Sequence, residues 1–115
     1  MPAEAILARL RQFQFFYSTE TDLQDAVEDA LLGVNIACER EVRFNASDRI
    51  DVLAGDVGIE VKIKGSPASV LRQMRRYAEL EGISELILVT TKHHHRLPAK
   101  LNGKVVHRLV VGAAS

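Results

Sequence analysis

Cysteine, proline and aromatic residues are scarce in this chain of 115 residues. It contains one cysteine, three prolines and no tryptophan, and aromatic side chains make up 5% of it. A single cysteine excludes an internal disulfide, and the apolar neighbours of Cys38 predict a small core residue in a buried strand, so we expect a reducing, cytoplasmic environment. No apolar run approaches the roughly 20 residues that a membrane-spanning helix needs, and we predict no secretory signal at the N-terminus.

An excess of charge of either sign is also missing. The chain has 15 basic and 15 acidic residues, and this balance excludes a protein that binds nucleic acid mainly through bulk electrostatics. The charges are unevenly distributed, however, because residues 1–60 hold most of the acids and residues 61–108 hold most of the bases. The composition therefore still allows one basic face for a phosphate-bearing partner.

Apolar spacing predicts one α/β domain over residues 1–115. Helical patterns cover residues 3–16, a stretch from the capping hydroxyls at Ser18-Thr19 to Val34, and a stretch from the cap Ser66 to about residue 81. Strand patterns cover residues 35–44, 49–53, 56–64, 85–90 and 104–111. The order α-α-β-β-β-α-β-β predicts a mixed sheet flanked by helices, in which residues 1–17 are an N-terminal helical extension and residues 18–111 the core.

Two carboxylates and a lysine are predicted to meet on the second and third strands. If Gly55 and Asp56 form the turn of a hairpin, Asp51 lies directly across from Glu60, with roughly 5 Å between their Cβ atoms. Lys62 shares the face of Glu60, because strand side chains alternate. A solvated hairpin face with a surface ion pair is the simpler interpretation of these charges.

Oxygen ligands at this distance suit a hard divalent cation such as Mg²⁺, and the backbone carbonyl of Val61 can add a ligand. A lysine beside them can orient water or neutralise charge on a phosphodiester. On the helix that follows, Gln73 and Tyr77 are four residues apart and share one face. Gln73 lies at the edge of the apolar stripe, where it can hydrogen-bond a water or a phosphate, whereas a boundary glutamine and a core tyrosine are the plainer interpretation.

The pattern Arg49-Ile50-Asp51, Gly58-Ile59-Glu60-Val61-Lys62 and Gln73-Met74-Arg75-Arg76-Tyr77 resembles the PD-(D/E)XK nuclease superfamily. It is most similar to the RecB-like branch with a Q-x-x-x-Y motif, which includes small phage and bacterial members, and the resemblance spans roughly residues 18–111. It implies a restriction-endonuclease-like αβββαβ core and Mg²⁺ or Mn²⁺ as cofactor. It also implies Asp51 and Glu60 as metal ligands, Lys62 as the catalytic lysine, and Gln73 and Tyr77 as accessory site residues. Ile50 stands where the motif has proline.

An acidic residue on the helix before the sheet is a further feature that the resemblance implies. Taking about 100° per residue, Glu20 lies about 40° from the centre of the apolar stripe of the second helix, and Glu28 and Asp22 lie about 120° from it. Glu20 is therefore the preferred additional ligand, and Glu28 is the reserve.

Two remaining clusters have simpler interpretations. We expect His93-His94-His95 to be a solvated basic loop, since consecutive histidines cannot all face one ion, with a contact to DNA phosphates as the secondary interpretation. We expect the aromatic group Phe13, Phe15, Phe16 and Tyr17 to pack in the core or between subunits rather than to stack on bases.

The leading hypothesis is a metal-dependent deoxyribonuclease that is structure-selective or weakly sequence-specific, an endonuclease acting on DNA as a possible homodimer. The alternatives are a nucleic-acid-binding or assembly module that has the same fold but cleaves nothing, and a partner-binding α/β protein. Metal binding separates the first hypothesis from the last, and turnover separates it from the second.

Overall fold

The computed structural model describes residues 3–112, so the ends of the predicted domain, residues 1–2 and 113–115, lie outside the described part. Its three helices are α1 (Ala3–Gln12), α2 (Glu20–Leu32) and α3 (Pro67–Ala78). Its six strands are β1 (Glu39–Arg43), β2 (Arg49–Ala54), β3 (Val57–Lys62), β4 (Glu85–Thr90), β5 (Lys100–Leu101) and β6 (Lys104–Val110). The predicted order is confirmed, with β5 added in the polar loop before β6.

The six strands form one mixed sheet in the order β1-β2-β3-β4-β6-β5. Strands β1, β2 and β3 are antiparallel neighbours, β3 pairs in parallel with β4, β4 pairs in parallel with β6, and β5 is antiparallel to β6. Helix α3 makes the crossover that a parallel β3–β4 pair requires. The prediction of an α/β fold with a mixed sheet flanked by helices is confirmed. No helix within residues 3–112 has the length and apolar character that crossing a membrane would require.

Each face of the sheet has its own hydrophobic core. Helices α1 and α2 pack on one face, where Val57, Ile59 and Val61 of β3 are buried. Helix α3 packs on the other face through Val70, Met74 and Tyr77, as its apolar spacing predicts. Gly58 lies on the α3 face, where an added Cβ would be 3.1 Å from the Ile83 side chain and 3.2 Å from that of Leu86. A side chain at this position would therefore push the packed layers apart.

The start of α2 follows from a reciprocal cap. The hydroxyl of Thr19 accepts a hydrogen bond from the N–H of Asp22, and the carboxylate of Asp22 accepts one from the N–H of Thr19. This capping box satisfies backbone groups that the first helical turn leaves without partners. It places Glu20 in the first turn of α2 and commits Asp22 to the cap.

Several predicted boundaries are wrong. Helix α1 ends at Gln12 rather than at residue 16, because the chain turns to bury Phe15 while leaving Phe16 64% exposed. Helix α3 ends at Ala78 rather than near residue 81. Strand β1 begins at Glu39, so Cys38 is half-buried before the strand and not inside it. Asn35 has a φ of 61°, and this left-handed conformation interrupts an extended chain between α2 and β1.

The histidine cluster is the largest departure from prediction. His93 and His94 are exposed, as a solvated loop requires, but His95 is fully buried. Its Nε2 lies 2.7 Å from the carbonyl oxygen of Gly65, and its Nδ1 lies 2.7 Å from the hydroxyl of Thr90. Because a carbonyl only accepts, Nε2 carries a proton and donates to Gly65, and Nδ1 forms a second hydrogen bond with the Thr90 hydroxyl. The expected solvated role is therefore wrong for His95.

His95 connects two loops through these bonds. Gly65 belongs to the loop between β3 and α3 and has a φ of 110°, a conformation that favours glycine. Thr90 ends β4 and also accepts the N–H of Lys92. The imidazole thus holds the loop before α3 against the end of β4, and it helps to set where α3 begins.

We predict that His95→Ala destabilises the protein by about 3 kcal/mol, because it leaves a cavity and two buried polar groups without partners. In a domain of this size the melting temperature should fall by roughly 10 °C or more. His94→Ala, which changes an exposed neighbour, is the control and should shift it by about 2 °C at most. Thermal unfolding followed by circular dichroism measures both, and equal shifts for the two variants would contradict the structural role of His95.

Candidate active site

The candidate site lies where the backbone pairing between β2 and β3 ends. The predicted pairs Ala54–Val57, Leu53–Gly58 and Val52–Ile59 are confirmed, and the backbone ladder then ends. The hairpin register predicts that Asp51 lies directly across from Glu60, but the two residues are not a backbone pair in the structure. Instead, the Asp51 carboxylate accepts the N–H of Val61 at 2.9 Å, and the Glu60 carboxylate accepts the N–H of Asp51 at 3.4 Å. Each carboxylate takes the place of a backbone acceptor and lies beside the other.

A change of face in β2 accompanies this separation. Val52 packs in the core under α1 and α2, whereas Ile50 packs in the core under α3. Regular alternation would place both side chains on the same face. The irregularity turns the segment around Asp51 toward β3, and this turn brings its carboxylate to the backbone of Val61.

Glu60 is almost wholly buried, with 2% of its surface exposed. Burial raises the pKa of its carboxyl well above the ordinary value, the neighbouring Asp51 raises it further, and Lys62 opposes both effects. The Lys62 ammonium lies 3.7 Å from Glu60 Oε2. One cation beside two carboxylates leaves negative charge uncompensated in a place of low solvent access, and such burial is costly.

Asp51 is less buried than Glu60. Burial also raises the pKa of the Asp51 carboxyl. Hydrogen bonds from the Val61 N–H and from Glu60, and the positive charge of Lys62, lower this pKa. Like charges this close disfavour ionisation of both groups at once, and burial makes the effect larger at Glu60, the more buried of the two.

Helix α3 places Gln73 and Tyr77 beside the Asp51–Glu60 pair. The Gln73 side-chain amide donates to the Tyr77 hydroxyl at 2.7 Å, and that hydroxyl donates to the carbonyl of Arg49 at 3.0 Å. It also lies 3.5 Å from Glu60 Oε2. Burial and the nearby Glu60 raise the pKa of Tyr77, so the phenol is neutral. Tyr77 thereby joins α3 to β2 and orients Gln73 at the edge of the cleft.

The two glutamates of α2 differ in position. Glu20 accepts the N–H of Ile63 at 3.2 Å, lines the same cleft as Asp51 and Glu60, and raises the pKa of Asp51. Glu28 pairs with Arg40 at 3.3 Å and does not line the cleft. The structure therefore brings Glu20, and not Glu28, to the other predicted site residues.

These residues line a polar cleft of about 410 Å³. Its lining includes residues that the sequence reading did not assign to the site, namely Gln24, Arg43, Ser47, Arg49 and Arg76. Arg43 and Arg49 are cross-strand partners in β1 and β2. Pairing the first two strands as a hairpin around the turn-forming segment 45–48 is the sequence signal that indicates that Arg43 and Arg49 meet.

Asp51 and Glu60 present carboxylate oxygens of the kind that Mg²⁺ and Mn²⁺ prefer. The Val61 side chain packs in the core under α1 and α2, and its carbonyl as a ligand stays a prediction. Among residues 3–112, no three His, Cys, Asp or Glu side chains form a ready metal-binding group. The uncompensated charge of the buried pair nevertheless fits a divalent cation, which would neutralise it. Glu20 is a further carboxylate that lines the cleft.

Comparison of the chain with protein-family models, with curated proteins and with solved structures gives no match. The resemblance to PD-(D/E)XK nucleases therefore depends on the motif residues and on where they lie in this structure.

We predict that Glu60→Gln stabilises the metal-free protein at pH 8. Because folding raises the pKa of Glu60, ionisation of this carboxyl lowers the free energy of unfolding. This loss is present above the pKa of the unfolded chain, about 4.3, and absent below it. The variant should therefore match the wild type near pH 4 and exceed its melting temperature increasingly as the pH rises, by about 4 °C for each 1 kcal/mol gained.

Thermal unfolding in EDTA from pH 4 to 8 measures this difference. Glu81→Gln removes an exposed carboxylate and should change the melting temperature by about 2 °C at most at any pH. A Glu60→Gln variant that melts below the wild type at pH 8 would show that the buried carboxylate is favourable as it stands.

Proposed function

We propose that the chain is a metal-dependent deoxyribonuclease that hydrolyses DNA phosphodiester bonds at Asp51, Glu60 and Lys62. The observation that carries the proposal is the buried carboxylate pair at the floor of a polar cleft, beside one lysine. Burying like charges together costs stability, and groups with strongly perturbed pKa values in a cleft are characteristic of functional sites. An ordinary surface ion pair would have neither the burial of Glu60 nor its raised pKa.

In this proposal Asp51, Glu60 and the Val61 carbonyl hold the cation, with Glu20 as the further carboxylate. When bound, a divalent cation supplies Lewis-acid chemistry at the phosphodiester and activates water. Lys62 projects into the cleft next to Glu60, where its ammonium can donate to a water or to a phosphate oxygen. Tyr77 keeps Gln73 oriented, so that its amide can hydrogen-bond the same water or phosphate.

The substrate we propose is DNA cut with little dependence on sequence. A domain of this size offers little surface for reading bases, and phosphate contacts carry no direct sequence information. Residues 3–112 contain one such centre, so cutting both strands of a duplex requires two copies or two events. A homodimer would bring two such centres to one duplex.

We predict metal-dependent cleavage that is lost in two variants. Wild-type protein with Mg²⁺ or Mn²⁺ should cut labelled DNA, and Lys62→Ala and Asp51→Asn should each reduce the rate by about 100-fold or more. The substrates are single-stranded, duplex and branched DNA, and nicks are distinguished from double-strand breaks on the duplex. Arg75→Gln, an exposed change on α3, is the activity control. Folded wild-type protein that cuts none of these substrates would favour a binding module without catalysis.

We predict that the two glutamates of α2 differ in their effect on metal binding. Glu20→Gln should weaken Mn²⁺ binding by roughly tenfold or more, whereas Glu28→Gln should change it by less than about twofold, since Glu28 is occupied by Arg40. Isothermal titration calorimetry measures both without DNA. Equal effects of the two substitutions, or a larger effect at Glu28, would contradict the ligand set.

A further inference from the structure

Three arginine side chains line the same cleft as the acidic centre. Arg43 ends β1, Arg49 begins β2, and Arg76 lies on α3. Neither the cation site nor the roles proposed for Lys62 and Gln73 use any of them. They are grouped at the end of the cleft formed by the β1–β2 connection, next to the strand end that carries Asp51.

Two of the three cations are close to each other at a cost. Arg43 is the direct cross-strand partner of Arg49, and like charges in that relation destabilise a sheet. The acid nearest Arg49 is Glu41 at 3.7 Å, and both side chains are about half exposed (51% and 53%), so this pair compensates little. An anion bound between the arginines would relieve the repulsion.

Arg76 is held ready for such an anion. Its Nε donates to Asp48 Oδ1 at 3.0 Å, and the other oxygen of Asp48 accepts the side-chain amide of Asn45 at 3.0 Å. The contact through Nε leaves both Nη groups of Arg76 for a ligand. Arg43 is held in a similar way, through one Nη that donates to the Ala46 carbonyl at 3.1 Å. Side chains fixed before binding lose less entropy when they bind.

We propose that Arg43, Arg49 and Arg76 form a clamp for a backbone phosphate next to the scissile one. This inference rests on the proposed function and names the substrate more closely: a DNA strand that extends beyond the cut bond and is held by its charge. Guanidinium groups match phosphate oxygens through paired N–H donors. The acidic centre repels phosphates when no cation is bound, so the clamp is the part of the cleft that attracts the strand.

The clamp is tested by DNA binding without cleavage, in EDTA and in Ca²⁺, across a range of salt concentrations. Arg43→Gln, Arg49→Gln and Arg76→Gln should each weaken binding to a short labelled duplex by about tenfold and reduce the salt slope by about one. Arg75→Gln is the matched control, because it removes the same charge from an exposed position of α3 that does not line the cleft. It should change affinity by less than about twofold and leave the slope nearly unchanged. Arg76→Lys keeps the positive charge but lacks the paired N–H donors of the guanidinium, so its affinity for DNA should lie between those of the wild type and Arg76→Gln.

A second measurement locates the phosphate. Single phosphate linkages on either side of the cut are replaced by a neutral methylphosphonate. At one of these positions the replacement should slow cleavage by the wild type by about tenfold. It should not slow cleavage by Arg76→Gln further, because the two changes remove the same contact. Three arginine variants that bind like Arg75→Gln, or an absence of DNA binding at every salt concentration, would overturn the clamp. DNA that is bound with the expected slopes but never cut would support the clamp and reject the proposed catalysis.

Discussion

The candidate site depends on one hydrogen bond, from the backbone N–H of Val61 to the carboxylate of Asp51. In a regular hairpin this N–H would bond to a backbone carbonyl of the neighbouring strand. Here a charged side chain takes that place, so strands β2 and β3 part without leaving a buried donor unpaired. The gap that results contains Glu60, and it opens into the cleft. Without this substitution the hairpin would close, and the two carboxylates would lie on an ordinary sheet surface.

The surrounding structure keeps this arrangement in place. Tyr77 connects α3 to the backbone of β2 beside the gap, and His95 ties the loop before α3 to the end of β4. On the opposite face, the cap at Thr19 places Glu20 in the first turn of α2, where it meets the backbone of Ile63. Three separate elements thus converge on the end of β3. Such support is needed because the site itself is electrostatically unfavourable.

Charge is distributed across the cleft in two parts. The floor is acidic and buried, whereas the end near the β1–β2 connection is basic and exposed. This arrangement explains how a chain of zero net charge can present a surface for a phosphate-bearing partner, since the field at a cleft depends on local charges more than on their sum. A bound cation would compensate the negative charge of the floor, and a bound anion would compensate the positive charge of the basic end. Each ligand would therefore remove a repulsion between like charges that the free protein retains.

Local patterns in the sequence determined the order of the helices and of the five longer strands, the capping hydroxyls before α2 and α3, and the register from Ala54–Val57 to Val52–Ile59, because these features depend on neighbouring residues and on a two-residue turn. The motif spacing also predicted which acids, lysine, glutamine and tyrosine meet. Only the tertiary structure decided that Ile50 and Val52 pack on opposite faces, that His95 is buried, and that Arg43, Arg49 and Arg76 share one cleft. Those outcomes arise from contacts between residues distant in the chain, where the packing of two cores on one sheet overrides alternation and composition.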